Sequence, residues 1–116
     1  HMKERLEPDV NRQLTDDLLN QLLEINPRPT ALFLPSDLVT AIVYRKLREK
    51  GTSPGSFEII SCNAEKPFLE GLFPVPQSID ICAEEIGRQA VEQLVWRLAN
   101  RDEQRKITLV APAELT

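Results

Sequence analysis

Apolar residues recur at helical spacing in three stretches of the chain, with short, nearly unbroken apolar runs between them. Leu14, Leu18, Leu19, Leu22, Leu23 and Ile25 make the first stretch, and recurrence at three and four residues marks one face of a helix. Residues 3–12 ahead of it are polar and aperiodic and predict a loose lead-in. Thr15 or Asp16 is placed to cap the helix, and Asp16-Asp17 suits the positive end of its dipole. Pro27 and Pro29 stop it. The second stretch runs from Leu38 to Lys50. Its predicted inward stripe is Leu38, Ala41, Ile42 and Leu47, with Arg45, Lys46, Arg48 and Glu49 outside. Gly51 stands where a helix commonly ends in a left-handed residue. The third stretch, Ala83 to Asn100, is the clearest. Ile86, Ala90, Val91, Leu94, Val95 and Leu98 share a face, Glu84 and Glu85 lie in the first turn, and Arg97 and Arg101 lie near the end.

The runs between these helices read as strands. Thr30 to Leu34 is almost wholly apolar and predicts a strand buried on both faces, as in parallel sheets. Phe57 to Cys62 is the next strand, after a turn that holds Pro54-Gly55. Asn63 to Gln77 carries three prolines and a glycine and predicts an irregular loop. Ser78 to Ile81 is a brief extended segment, and Lys106 to Val110 a last strand that Pro112 ends. Strands alternating with helices predict an α/β fold of three layers, a mostly parallel sheet flanked by helices. Ligands of such sheets bind beyond the carboxyl ends of the strands, here Pro35-Ser36-Asp37 and Cys62-Asn63-Ala64-Glu65.

Composition narrows the chemistry. A chain of 116 residues predicts one small domain. Fourteen Lys+Arg against 18 Asp+Glu give a net charge of −4, opposite to the basic stripe of a phosphate-backbone binder. No apolar run approaches the roughly 20 residues of a membrane helix, and no basic-then-apolar signal peptide opens the sequence. His1-Met2 reads as an expression remnant, and His1 is the only histidine. Without it no Ser-His-Asp or Cys-His nucleophile can be assembled, and no histidine-containing zinc site. Cys62 and Cys82 form no CxxC pair and read as small buried hydrophobes in a reducing compartment. GxGxxG and GxxxxGK[ST] phosphate loops are both missing. Asp16-Asp17 reads as capping, Lys46 to Lys50 as a solvated helix end, and Tyr44 and Trp96 as packing. Nothing brings Glu65, Glu70, Glu84 and Glu85 together as catalytic carboxylates. No enzyme, cofactor or metal is expected.

Five segments carry a family resemblance. Pro27 to Asp37 (PRPTALFLPSD) resembles the "RPTAIFAAND" segment of LacI/GalR-type transcription regulators. Gly51, Pro54 and Phe57 to Asn63 are similar to their "REAGLRVPEDISVVGFDD". Pro74 to Ile79 resembles "PPLTTV", Ile86 to Leu94 resembles "MGRRAVELL", and Lys106 to Leu115 resembles "RRVLLPPELV". The five run in order at family spacing from about Pro27 to the C-terminus.

The resemblance implies a periplasmic-binding-protein-like architecture in which two α/β lobes close around a small effector. Residues 1–26 are then the tag remnant, polar lead-in and first helix. Residues 27–116 are the C-terminal part of the effector-binding and dimerisation domain, and the DNA-binding headpiece is absent. The helix around residues 84–99 corresponds to the N-terminal lobe, and the strand at 78–80 to a crossover between lobes. Position by position, the family's ligand-contacting Asn falls on Ser36, which keeps a hydrogen bond of shorter reach. Asp37 follows as helix cap first and ligand contact second. The Asp that often accepts sugar hydroxyls falls on Asn63, without the charge, and a polar residue after the crossover strand falls on Ile81. The implied partners are a small-molecule effector (a sugar or related metabolite), operator DNA through the missing headpiece only, and a second copy in a homodimer. The implied setting is cytoplasmic, with no membrane contact. A solute-binding protein of a sugar transporter shares this architecture, and an interaction domain without ligand fits the same composition.

Overall fold

In a computed structural model of the protein, residues 8–116 are described. The tag remnant and residues 3–7 of the predicted lead-in lie outside them. Helix α1 spans Pro8–Glu24, followed by β1 (Ala31–Phe33), α2 (Asp37–Glu49), a 3-10 turn (Pro54–Ser56), β2 (Glu58–Cys62), α3 (Lys66–Leu69), β3 (Gln77–Asp80), α4 (Ala83–Ala99) and β4 (Glu114–Leu115). The sheet order is β1-β2-β3-β4. The first three strands are parallel and β4 runs antiparallel to β3. The fold is mixed α/β around a mostly parallel open sheet.

Several elements depart from the periodicity. The helix begins at Pro8 rather than after residue 12. Proline is well tolerated in a first turn, whose N–H groups lack intrahelical acceptors. Thr15 and Asp16 therefore lie inside α1 and do not cap it. Asp16 instead ties α1 to α2, at 2.9 Å from Lys50 and 3.8 Å from Lys46. Strand β1 is not buried on both faces. It is an edge strand, with Ala31 and Phe33 exposed and Leu32 half-buried. The loop after β2 contains the short helix α3. Lys106 to Val110 forms no strand; β4 lies beyond Pro112 instead.

The core sits where α1 and α2 meet the sheet. Leu19, Val43, Tyr44, Leu47, Phe57 and Ile59 are buried together. The face that α2 buries is Asp37, Thr40, Val43, Tyr44 and Leu47, while Leu38 is exposed and Ala41 and Ile42 only half-buried. Hydrophobicity misplaces this face because two of its members are polar, and polar side chains enter a core when hydrogen bonds satisfy them. The end of α2 follows its sequence signal. Gly51, at φ 75°, donates to Arg48 O (3.0 Å) and Thr52 to Leu47 O (2.9 Å), the paired closure that a left-handed glycine permits.

Helix α4 stands apart. It buries none of its residues, and Ile86, Val91, Leu94, Val95 and Leu98 of the predicted apolar face are exposed. The segment after it lies along its side, with Arg97 donating to Glu103 O (2.9 Å) and to Arg105 O. The chain then returns to the sheet, where Glu114 faces Asp80 in register. The molecule measures 58 × 34 × 27 Å. Its radius of gyration of 18.5 Å exceeds the about 13 Å of a compact 100-residue domain.

Candidate functional site

Because β1, β2 and β3 are parallel, their carboxyl ends share one edge of the sheet. The residues expected at the site follow those ends. Ser36 comes after β1 and caps α2, its Oγ accepting from Val39 N at 3.2 Å. Its hydroxyl hydrogen remains free to donate. Asn63 comes directly after β2. Its N–H donates to Ile79 O at 2.8 Å, and its half-buried carboxamide makes no hydrogen bond among the described residues. Ile81 comes directly after β3 and is half-buried.

Asp37 has a different place from the one expected. The cap is Ser36, and Asp37 is fully buried in the first turn of α2. Its Oδ1 accepts hydrogen bonds from Ser61 Oγ and from Ser78 Oγ (2.8 Å), and its Oδ2 from Glu65 N (2.5 Å). Ser61 Oγ lies 2.6 Å from Thr40 Oγ1, and Ser78 Oγ accepts from Ala64 N at 3.0 Å. The carboxylate thus spends its lone pairs joining α2, β2, β3 and the loop after β2. A buried charge is tolerated when hydrogen bonds replace its water, as they do here. The contact between Asp37 and Glu65 also puts Ser36 and Asn63 at the same end of the sheet.

Asn63 opens onto a cleft of about 660 Å³ whose walls include Asp80, Cys82, Glu84, Glu85 and Arg88. These residues were not singled out for the site by sequence. Their signal was a pair of acidic residues opening the helix after a short strand, which reads equally as dipole compensation. Cys82 precedes α4 at φ 53°, with its N–H held by Asp80 Oδ1 at 2.8 Å. Partial burial, and then the nearby carboxylates of Asp80, Glu114 and Glu85, push the Cys82 thiol up from its usual value. That direction favours the thiol over the nucleophilic thiolate. Arg88 is gripped by Glu85 and by Glu92, and its hydrogen bond holds the Glu85 carboxyl below the usual range. The cleft presents three carboxylates against one guanidinium. Among the described residues no group of three or more His, Cys, Asp or Glu side chains is placed to hold a metal, and no helix is long and apolar enough to cross a membrane.

This arrangement has known counterparts. A family model described as a periplasmic binding protein-like domain matches residues 2–116. A lactose operon repressor of Rhizobium radiobacter is 35% identical over 95 residues, covering 81% of each protein. The chain belongs to the periplasmic binding protein-like domain family. Its relatives within that family are regulators of the LacI/GalR type. Among solved structures, a LacI transcriptional regulator of Bacillus cereus subsp. cytotoxis superposes with a TM-score of 0.77 at 25% identity, covering 90% of this chain and 36% of that one. The transcriptional regulator CelR in complex with cellobiose superposes with a TM-score of 0.74 at 23% identity, covering 93% and 32%. The chain thus spans about a third of the length of the solved structures it matches.

Proposed function

We propose that the chain is the effector-sensing and dimerisation segment of a ligand-responsive LacI/GalR-type transcription regulator. What supports this reading is that Ser36, Asn63 and Ile81 each follow the carboxyl end of one of three parallel strands, with Asn63 in the wall of an open polar cleft. Asn63 and Ser36 supply hydrogen bonds to the effector and Ile81 an apolar wall, while Asp37 holds the loops that carry them. The effector is a small hydroxylated metabolite of the sugar class. It is uncharged, because Asp80, Glu84 and Glu85 repel a phosphate or carboxylate at this range. Binding favours one arrangement of sheet and α4 over another, by no more than the difference in affinity for the two. Operator DNA is reached through a headpiece N-terminal to residues 27–116. The net charge of −4 gives this segment no role on DNA, and it does no covalent chemistry. The exposed apolar face of α4 pairs with a second copy, and the protein works in the cytoplasm.

Thermal-shift measurements on the full-length protein with cellobiose, lactose and glucose 6-phosphate test this. A neutral sugar is expected to raise Tm, the phosphate to leave it unchanged, and Asn63→Ala to abolish the rise. Equal stabilisation of wild type and Asn63→Ala refutes the assignment of Asn63, and stabilisation by the phosphate alone refutes the effector class.

A further inference from the structure

Asn63 reaches the cleft from a backbone that two non-glycine residues hold against their preference. Asn63 has φ 102° and Ala64 φ 54°. For an L-residue such as Ala64 the left-handed region costs roughly 1–2 kcal/mol, so this turn persists only where its surroundings impose it. The imposing contacts are the two amides that follow Asn63. Glu65 N–H donates to Asp37 Oδ2 (2.5 Å), and Ala64 N–H donates to Ser78 Oγ (3.0 Å), whose own hydrogen is committed to Asp37 Oδ1 (2.8 Å). One fully buried carboxylate on α2 therefore orients both acceptors of a turn that begins 26 residues further along the sequence.

We infer that Asp37 is a positioning residue of the effector cleft. Its carboxylate fixes the left-handed Asn63–Ala64 turn and with it the direction in which the Asn63 carboxamide is presented. This rests on the reading above that Asn63 touches the effector. Both oxygens of the group serve as acceptors. A carboxamide of the same shape has one acceptor oxygen, and its NH2 would face either the Glu65 N–H or the two serine hydroxyls.

The test is amide hydrogen exchange by NMR on the 116-residue chain as wild type, Asp37→Asn and Ser78→Ala. In Asp37→Asn the Ala64 and Glu65 amides are expected to exchange at least tenfold faster, while Tyr44 and Leu47 in the core keep their protection. In Ser78→Ala the Ala64 amide is expected to speed up most. Unchanged Ala64 and Glu65 amides in Asp37→Asn overturn the inference, and so does a uniform rise at every amide, which would make Asp37 a general stabiliser. Should Asp37→Asn fail to fold, an unchanged Ala64 amide in Ser78→Ala overturns it alone. Titration of the full-length protein with cellobiose and lactose examines the reading beneath. Asp37→Asn is expected to weaken the bound sugar at least tenfold and to add nothing in an Asn63→Ala background. Further weakening in that background overturns action through Asn63. Selective loosening of the two amides in a wild type that binds neither sugar overturns the effector reading only.

Discussion

Truncating one leucine in each of two helices separates a covered helix from an uncovered one. Leu47 is 0% exposed at the centre of the core, whereas Leu94 on α4 is 59% exposed. Leu47→Ala removes buried methyl groups and leaves a cavity among Leu19, Tyr44 and Ile59, which costs about 3 kcal/mol, within the usual range of roughly 2–5 kcal/mol. Leu94→Ala removes area that is already largely wet. Its transfer loss is below about 1 kcal/mol, and the higher helix propensity of alanine offsets part of that. In urea melts followed by far-UV circular dichroism, Leu47→Ala should lower the midpoint by about 1–2 M at unchanged slope, with Leu94→Ala close to wild type. The single tryptophan, Trp96, lies on α4, so its fluorescence reports on that helix separately. The comparison also reads out self-association. If α4 pairs with a second copy, the cost of Leu94→Ala grows with protein concentration, because only the paired state covers that side chain. A Leu94→Ala cost equal to that of Leu47→Ala and independent of concentration refutes the reasoning, since it means α4 is covered within its own chain.

Two further outcomes follow from local chemistry. At Gly51, φ is 75° and nothing lies within 4 Å of an added Cβ, so Gly51→Ala meets backbone strain alone. It should cost about 1 kcal/mol in a thermal melt, with Gly51→Asn between the two; an alanine variant as stable as wild type contradicts this. Asp16 lies below its usual 3.8, first because Lys50 donates a hydrogen bond to it. A lowered carboxyl contributes stability that is present above the unfolded value and lost as pH falls through the folded one. Lys50→Met should therefore flatten the acid side of the stability profile below a pH of about 4 and leave its shape near neutrality unchanged, and an identical acid limb in both proteins rules the tie out.

Much of the fold was readable from periodicity and punctuation. Gly51, Pro54-Gly55 and the strand signal at 57–62 fix the C-terminal end of α2 and the start of β2 nearly residue by residue, because glycine and proline act on their own backbone whatever surrounds them. What periodicity missed depends on tertiary context. The buried face of α2 turns on Asp37 and Thr40, whose burial is made tolerable by the hydroxyls of Ser61 and Ser78, the Glu65 amide and the Ser36 carbonyl. Phe33 is apolar yet 65% exposed, because β1 stands at the sheet edge. Residues 106–110 look like a strand, but it is Glu114 and Leu115 that pair with β3. At the candidate site, the resemblance indicated Ser36, Asp37, Asn63 and Ile81, and the structure gives the cap to Ser36 and buries Asp37. The cleft walls at Asp80, Cys82 and Arg88 needed the backbone path through Cys82 to bring them beside Asn63.

The excursion formed by α4 and the segment beside it leaves the sheet at Asp80 and rejoins it at Glu114, the residue paired with Asp80. A body tethered by one strand can swivel freely, whereas one joined by two adjacent antiparallel strands bends most easily about the line between its attachment points. Relative motion of sheet and helix is thereby reduced to something close to a door on a hinge. The cleft that Asn63 shares with the first turn of α4 lies at the jamb, beside Asp80 where the excursion leaves the sheet.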